Sequence, residues 1–73
     1  MLTTATRSEI LALTSDPRRL RAAIIEDHAA GLLSDAEASS LRVDAACLHN
    51  TLTRDPRHRA SVEHVLEVLA PAA

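Results

Sequence analysis

The chain has 73 residues, with eight arginines, no lysine and no aromatic residue, and its formal net charge is −2 with histidines neutral. This length allows one domain, residues 1–73, and a core built only from Leu, Ile, Val and Ala favours closely packed helices over a sheet sandwich. The charge excludes the overall basic character of many nucleic-acid binders, and no apolar run reaches the roughly 18 residues of a membrane span.

The cysteine content and the N-terminus indicate a cytoplasmic location. Cys47 is the one cysteine, so no disulfide can form within a chain, which suits a reducing compartment. The first residues lack the pattern of a secretory signal. We therefore expect a cytoplasmic protein that does not contact the membrane.

The first helix is predicted over about residues 7–13. Thr6 and Glu9 have the spacing of a capping box, in which each side chain accepts a hydrogen bond from the other residue's backbone N–H. Ile10 and Leu11 are its apolar anchors. A helix this short depends on tertiary contacts.

The second helix is predicted over about residues 17–30. Asp16 suits the N-cap, and Pro17 suits the first helical position, where the missing N–H leaves no hydrogen bond unmade. The apolar residues form two stripes, which predicts a helix packed on both sides. These stripes are Leu20, Ala23 and Ile24 on one side, and Ala22, Ile25 and Ala29 on the other.

An elbow is predicted after the second helix. Gly31, the single glycine, stands where a helix can end in a left-handed turn, and Leu32 stands where a residue usually folds back on the last helical turn. Ser34 and Glu37 then form a second capping box. This helical hairpin occurs in many unrelated domains, so it predicts structure and not function.

The third helix is predicted over about residues 35–52, with two contrasting faces. One face is apolar at spacings of three and four residues, and it holds Ala38, Leu41, Ala45, Leu48 and Leu52. The opposite face is small and free of charge, which predicts packing against the second helix or self-association as a homodimer. That face holds Ala36, Ser39, Val43, Ala46, Cys47 and Asn50.

The fourth helix is predicted over about residues 56–69, opened by Asp55 and Pro56. Its buried stripe comprises Val62, Val65, Leu66 and Leu69. Segments 13–18 and 52–57 match at five of six positions. We favour convergent helix-opening sequences over a duplication, because the residues that follow do not align.

The short connections predict an all-α fold, a small antiparallel bundle of four helices with the first short. The near variant is a three-helix core with an extra N-terminal turn. In either case the first turns of the second and fourth helices lie at one end. The acidic residues Glu26, Asp27, Asp35 and Glu37 gather at the other end.

The arginine-rich end is the predicted partner-binding surface, since arginines beside helix N-termini suit an anion. The alternative is that Asp16 and Asp55 neutralise these arginines, whose stems then only cover apolar surface. The predicted set is Arg18, Arg19, Arg21, Arg54, Arg57 and Arg59.

A protein partner with an acidic surface ranks above nucleic acid as the ligand. A net negative body repels a duplex, and no aromatic side chain is present to stack on bases. We expect a non-enzymatic protein-binding module: an adaptor, a chaperone, or a stoichiometric inhibitor of a larger bacterial or phage-related assembly. The alternatives are a nucleic-acid-associated regulator that uses the same arginines and a purely structural subunit of an oligomer.

No catalytic residue, metal site or cofactor is predicted. Cys47 lies on a charge-free face, where a structural thiol is the ordinary outcome. No His-Glu-x-x-His pattern or glycine-rich loop occurs. His28 is expected to act as a favourable cation at the end of the second helix. The other histidines, whose spacing gives no metal pair, are His49, His58 and His64.

Overall fold

The protein is built from four α-helices and one short 3₁₀ turn. The structure is a computed structural model that describes residues 2–71. Its elements are the 3₁₀ turn Leu2–Thr4, α1 Arg7–Thr14, α2 Pro17–Ala29, α3 Asp35–Asn50 and α4 Pro56–Leu69. The described range contains no strand, which confirms the all-α prediction.

Helices α2, α3 and α4 pack side by side in alternating directions, with α3 between the other two. His28 near the end of α2 lies 2.6 Å from Asp35 at the start of α3, measured from Nε2 to Oδ1. Asp44 of α3 hydrogen-bonds to His64 of α4. The first pair connects the end of α2 to the start of α3, and the second joins the middle parts of α3 and α4. The Cys47 thiol near the end of α3 also donates to the Arg57 carbonyl at the start of α4, and the predicted antiparallel bundle is confirmed.

The N-terminal segment closes the bundle against α2 and α4. The Arg7 guanidinium, in the first turn of α1, donates to the Ala70 carbonyl just after α4 at 3.0 Å. The Leu2 amide donates to the Asp27 carboxylate of α2 at 2.7 Å. α1 therefore fills the fourth position of the bundle and lies antiparallel to α4.

All four predicted helix starts are present. Thr6 with Glu9, and Ser34 with Glu37, form reciprocal capping boxes. Asp16 and Asp55 each accept a backbone N–H at an N-cap that precedes a helical proline. These are contacts between residues two or three positions apart, which is why the sequence places them correctly.

The turn after α2 has the predicted left-handed glycine, with φ of +76° at Gly31. The Leu32 amide donates to the Asp27 carbonyl and the Gly31 amide to the His28 carbonyl, which is the Schellman pattern. Leu32 does not fold back on the helix, however. It stays exposed while Leu33 is buried, because the last turn of α2 presents Glu26 and Asp27 instead of an apolar partner.

The buried residues confirm one predicted apolar face on each helix, but three details of the predicted core are wrong. The buried apolar residues are Leu2, Ile10, Leu20, Ile24, Leu33, Ala38, Leu41, Ala45, Leu48, Val65 and Leu66. Leu11, predicted as an anchor, is 49% exposed. The second stripe of α2 is also exposed, because α1, α3 and the 3₁₀ turn leave that side of the helix uncovered. Its residues are Ala22, Ile25 and Ala29.

The third correction concerns the end of α3. The helix stops at Asn50, and Leu52 is 66% exposed instead of buried. Thr51 has extended backbone angles, φ −118° and ψ 149°, and its hydroxyl donates to the Cys47 carbonyl at 2.8 Å. Leu52 stands four residues after Leu48, as on one face of a helix, but α3 ends before Leu52 and the spacing no longer applies.

The two matching hexapeptide segments differ in structure. Leu13 packs against the core, whereas Leu52 faces solvent. The Asp16 carboxylate accepts from the Arg19 amide, whereas Asp55 accepts from the amide two residues on. Both segments therefore provide an N-cap for the helix that follows, but they pack differently against the core.

None of the helices within residues 2–71 is long and apolar enough to cross a bilayer.

Candidate functional site

An open groove of about 670 Å³ runs between the start of α2 and the second half of α3. Among the residues that the structure describes, its lining consists of cationic and neutral side chains and contains no acidic one. We call it the arginine groove. Its lining residues are Pro17, Arg18, Arg21, Ser39, Arg42, Val43, Ala45, Ala46, His49 and Asn50.

Helix geometry places three guanidinium groups on this groove. Arg18 and Arg21 are one turn apart on α2, so they point to the same side. Arg42 lies on α3, where Ala46 and His49 follow at spacings of four and three and share its face. The small side chain of Ala46 leaves space between the helices. The outer edge carries Val43, which is 67% exposed.

The groove arginines are free of partners within residues 2–71. Their guanidinium groups take part in none of the three ion pairs of that range, which join His28 to Asp35, Arg57 to Asp55 and His64 to Asp44. Like charges held together without counter-ions produce a positive local potential, and such a potential attracts anionic ligands.

The six predicted arginines occupy different surroundings. Arg18 and Arg21 line the arginine groove, whereas Arg19 lines a separate cleft on the other side of α2. Arg54 and Arg59 are exposed. The arginine groove thus brings together two of the six predicted arginines, and the role of the whole set as a partner-binding surface stays a prediction.

Arg57 is paired within the chain. Its Nη2 lies 2.8 Å from Oδ2 of Asp55, and its Nε lies 3.2 Å from Oδ1. The Arg57 side chain lowers the pKa of the Asp55 carboxyl, and Asp55 in turn raises the pKa of Arg57. For Arg57, the structure therefore agrees with the alternative interpretation, in which a neighbouring aspartate neutralises the arginine.

The first turns of α2 and α4 lie at the same end of the molecule. Arg18 and Arg21 line the groove together with His49 and Asn50, from the last turn of α3. The Cys47 thiol, in the same part of α3, donates to the carbonyl of Arg57 at 3.7 Å. Both helix openings are therefore next to the C-terminal part of α3, as the alternating helix directions require.

Comparison with known proteins yields no relative. The chain matches no protein-family model, no curated protein and no solved structure.

The predicted self-association face overlaps the arginine groove. Five of its residues are exposed in the single chain: Ala36, Ser39, Val43, Ala46 and Asn50. Cys47 is only partly exposed and points toward α4. Ser39, Val43, Ala46 and Asn50 line the groove together with its arginines. A copy of the chain and an unrelated partner would thus compete for the same surface.

Sequence reasoning missed Arg42 and His49 as groove residues. Residues 42, 46 and 49 follow the helical spacing of four and three, so the sequence contained a signal for a shared face. The helical spacing does not tell which helix packs against that face. In the structure, α3 contacts α2 on this face and α4 on another.

The predicted acidic end is also corrected. Asp27 has an exposed fraction of 0%, so it contributes no surface charge. Asp35 is exposed, and its Oδ1 lies 2.6 Å from Nε2 of His28 in the last turn of α2. The expected role of His28 as a cation at this helix end stays a prediction. Within residues 2–71, no group of three or more His, Cys, Asp or Glu side chains is arranged to hold a metal ion.

Proposed function

We propose that this protein is a non-enzymatic binding module whose arginine groove accepts an acidic segment of a larger protein partner. The observation that supports it is the groove lining, in which residues 2–71 supply three arginines, one histidine and no acidic side chain. Val43 on the edge adds an apolar contact, so the best ligand is an acidic segment with an apolar side. An adaptor, a chaperone or a stoichiometric inhibitor of a bacterial or phage-related assembly in the cytoplasm would fit this module.

The groove suits a helix or an extended segment of a protein better than a nucleic-acid duplex. Three groove arginines permit few phosphate contacts, and the rest of the chain carries net negative charge. A regulator that contacts phosphates through Arg18, Arg21, Arg54 and Arg59 is the second candidate. A purified protein without aromatic residues absorbs little at 260–280 nm, so strong absorbance there would indicate bound nucleic acid and favour this candidate.

A peptide titration tests the proposal directly. The probe is an amphipathic helical peptide with glutamates along one face, and its control is the same peptide with glutamines. Binding is followed by amide chemical shifts of the ¹⁵N-labelled protein. We expect shifts at Arg18, Ser39 and Val43, with the glutamine peptide binding about tenfold more weakly.

Charge reversal then locates the surface. Arg18→Glu with Arg21→Glu is expected to abolish peptide binding and the capture of a partner from the native host. Arg54→Glu with Arg59→Glu changes the net charge equally at the same end of the molecule but outside the groove, and should leave affinity within about twofold. Equal losses in both variants would contradict a groove-specific site. Full function in both variants would favour the structural-subunit role.

The proposal includes a homodimer as a state that competes with partner binding. Its interface residues are Ala36, Ser39, Val43, Ala46, Cys47 and Asn50. Because four of these residues line the groove, the dimer and the partner complex exclude one another. Addition of the glutamate peptide should then convert dimer to monomer–peptide complex, measured by light scattering with refractive-index detection.

A further inference from the structure

The second apolar stripe of α2, which the bundle leaves uncovered, lies on the same side of the helix as two groove arginines. Arg18, Arg21 and Ile25 follow one another at spacings of three and four residues, so their side chains project to one side of α2. Ile25 is 46% exposed. An exposed isoleucine one turn beyond Arg21 therefore extends the surface of the arginine groove along the helix.

The place of Ile25 beside α3 follows from contacts on either side of it. Arg21, one turn before Ile25, lines the groove together with Arg42 of α3. His28, almost one turn after Ile25, lies 2.6 Å from the carboxylate at the start of α3. Because the two helices are antiparallel, Ile25 lies beside the part of α3 between its first turn and Arg42. Ser39 is exposed in that part and lines the groove, so the groove leads toward Ile25.

Val43 provides a second exposed aliphatic side chain, on the α3 side of the same face. It follows Ser39 at a spacing of four residues, so the two share one side of α3. Ala22 on α2 and Ala46 on α3 are exposed residues with small side chains. Small side chains beside two larger ones leave a furrow in which the side-chain ridge of a third helix can pack.

Charge and apolar surface are separated along this face. The rise of 1.5 Å per residue places Ile25 about 10 Å from Arg18 along the axis of α2. An extended segment covers that distance in about three residues, and side chains three positions apart on a strand point to opposite sides. A helix laid along α2 instead presents side chains to one side at the spacing of α2 itself. The face therefore suits a helix.

We infer that the surface formed by the arginine groove and Ile25 binds an amphipathic helix of an acidic protein partner. This inference rests on the proposed function and adds the secondary structure and the side-chain order of the ligand. Two carboxylates within one turn of the ligand helix pair with Arg18 and Arg21. An aliphatic side chain one turn further along packs against Ile25 and Val43. The arginines thus select against a neutral helix, and the aliphatic pair selects against a purely acidic one.

Two helical peptides of equal composition test the side-chain order. The aligned peptide carries the pattern Glu-x-x-Glu-x-x-x-Leu-x-x-x-Leu in an alanine-rich helix, which places all four side chains on one side. The rotated peptide moves both leucines two positions further, which turns them by about 200° away from the glutamates. We expect the aligned peptide to bind about tenfold more tightly. In ¹⁵N-labelled protein it should shift the amides of Ile25, Ser39 and Val43, whereas the rotated peptide should shift mainly those of Arg18 and Arg21.

Truncation of Ile25 tests the apolar part of the surface. Ile25→Ala should weaken binding of the aligned peptide about fivefold and leave that of the rotated peptide within about twofold. Leu11→Ala is the matched control, because it truncates an aliphatic side chain of similar exposure on α1, outside the groove. It should leave both affinities within about twofold. Ile25 lies outside the core, so its variant keeps the fold, and its helical content is checked by circular dichroism.

The outcomes separate this inference from the proposed function. Equal affinity of the wild type for the two peptides would overturn the helical occupant, and so would an unchanged affinity of Ile25→Ala for the aligned peptide. If Arg18→Glu with Arg21→Glu still abolished binding in that case, the groove would remain the partner site. Binding of neither peptide would contradict both proposals. Loss of a dimer in Ile25→Ala, with peptide affinity unchanged, would assign the stripe to an interface between copies of the chain.

Discussion

The amide of Leu2 donates a hydrogen bond of 2.7 Å to the buried carboxylate of Asp27, twenty-five residues further along the chain. This contact fastens the N-terminal turn to the last turns of α2. It also places the Leu2 side chain in the core, where only 1% of its surface stays accessible. The described residues before α1 are thus part of the packed structure.

Truncation of Leu2 should destabilise the protein. Leu2→Ala removes a buried side chain, and we expect a loss of about 2 kcal/mol in the free energy of unfolding. Leu11→Ala makes the same chemical change at a half-exposed position and should cost less than about 0.5 kcal/mol. Urea unfolding followed by circular dichroism measures both, since the protein has no aromatic fluorophore. Equal effects would show that the N-terminal turn does not pack as described.

Gly31→Ala should destabilise the protein through backbone conformation alone. The φ of +76° disfavours any residue with a Cβ, yet nothing lies within 4 Å of the position that a Cβ would take. We expect a loss of about 1 kcal/mol. Gly31→Asn should lose less, because asparagine tolerates the left-handed region. A larger loss for asparagine than for alanine in thermal unfolding would point to a steric cause instead.

The Asp44–His64 pair should couple α3 to α4. The His64 side chain is partly exposed, so solvent screens the interaction. A double-mutant cycle with Asp44→Asn and His64→Gln should give a coupling energy of about 0.5–1 kcal/mol at pH 6. Additive effects of the two substitutions would mean that the contact is not stabilising in solution.

Stability should fall in acid through Glu37 and Asp55. The Ser34 backbone amide, and then its hydroxyl, lowers the pKa of Glu37, while the Arg57 side chain lowers the pKa of Asp55. A carboxyl group with a lowered pKa in the folded state stabilises the protein above its unfolded pKa of about 4. It loses that contribution as the pH falls through the folded pKa. Unfolding free energy should therefore decrease between about pH 5 and pH 2.

The variant Glu37→Gln with Asp55→Asn should flatten this acid dependence, because neither replacement side chain titrates. Glu63→Gln with Glu67→Gln removes two exposed carboxyl groups of α4 and should leave the dependence nearly unchanged. Urea titrations at a series of pH values measure the slopes. A flattening of the same size in both variants would assign the acid sensitivity to overall charge.

Val43→Glu should alter association without altering the fold. Val43 is largely exposed in the single chain, so the variant should keep its helical content and its unfolding free energy within about 0.5 kcal/mol. If a homodimer forms at micromolar concentration, light scattering should show the variant as a monomer. Leu52→Glu, at an equally exposed position away from the groove, should leave the association state unchanged. Dissociation by both variants would argue against a dimer built on α3.

The sequence by itself determined all four helix starts, the end of α4, and the ends of α1 and α2 to within one residue, whereas α3 ends two residues earlier than predicted. Capping boxes, Asp-Pro openings and Gly31 act between residues two to six positions apart, so their physics is complete within a short segment. The sequence also predicted the helix directions, because short connections between consecutive helices favour antiparallel neighbours.

Only the tertiary structure decided which side of each helix is covered. The sequence shows that α2 has two apolar stripes, and the bundle buries one of them. Arg18 and Arg19 illustrate the reason. They are neighbours in the chain, but a helix turns by about 100° per residue, so Arg18 lines the arginine groove and Arg19 lines the cleft on the other side of α2. Which helix lies beside each of those directions depends on packing between distant segments, and no local pattern contains it.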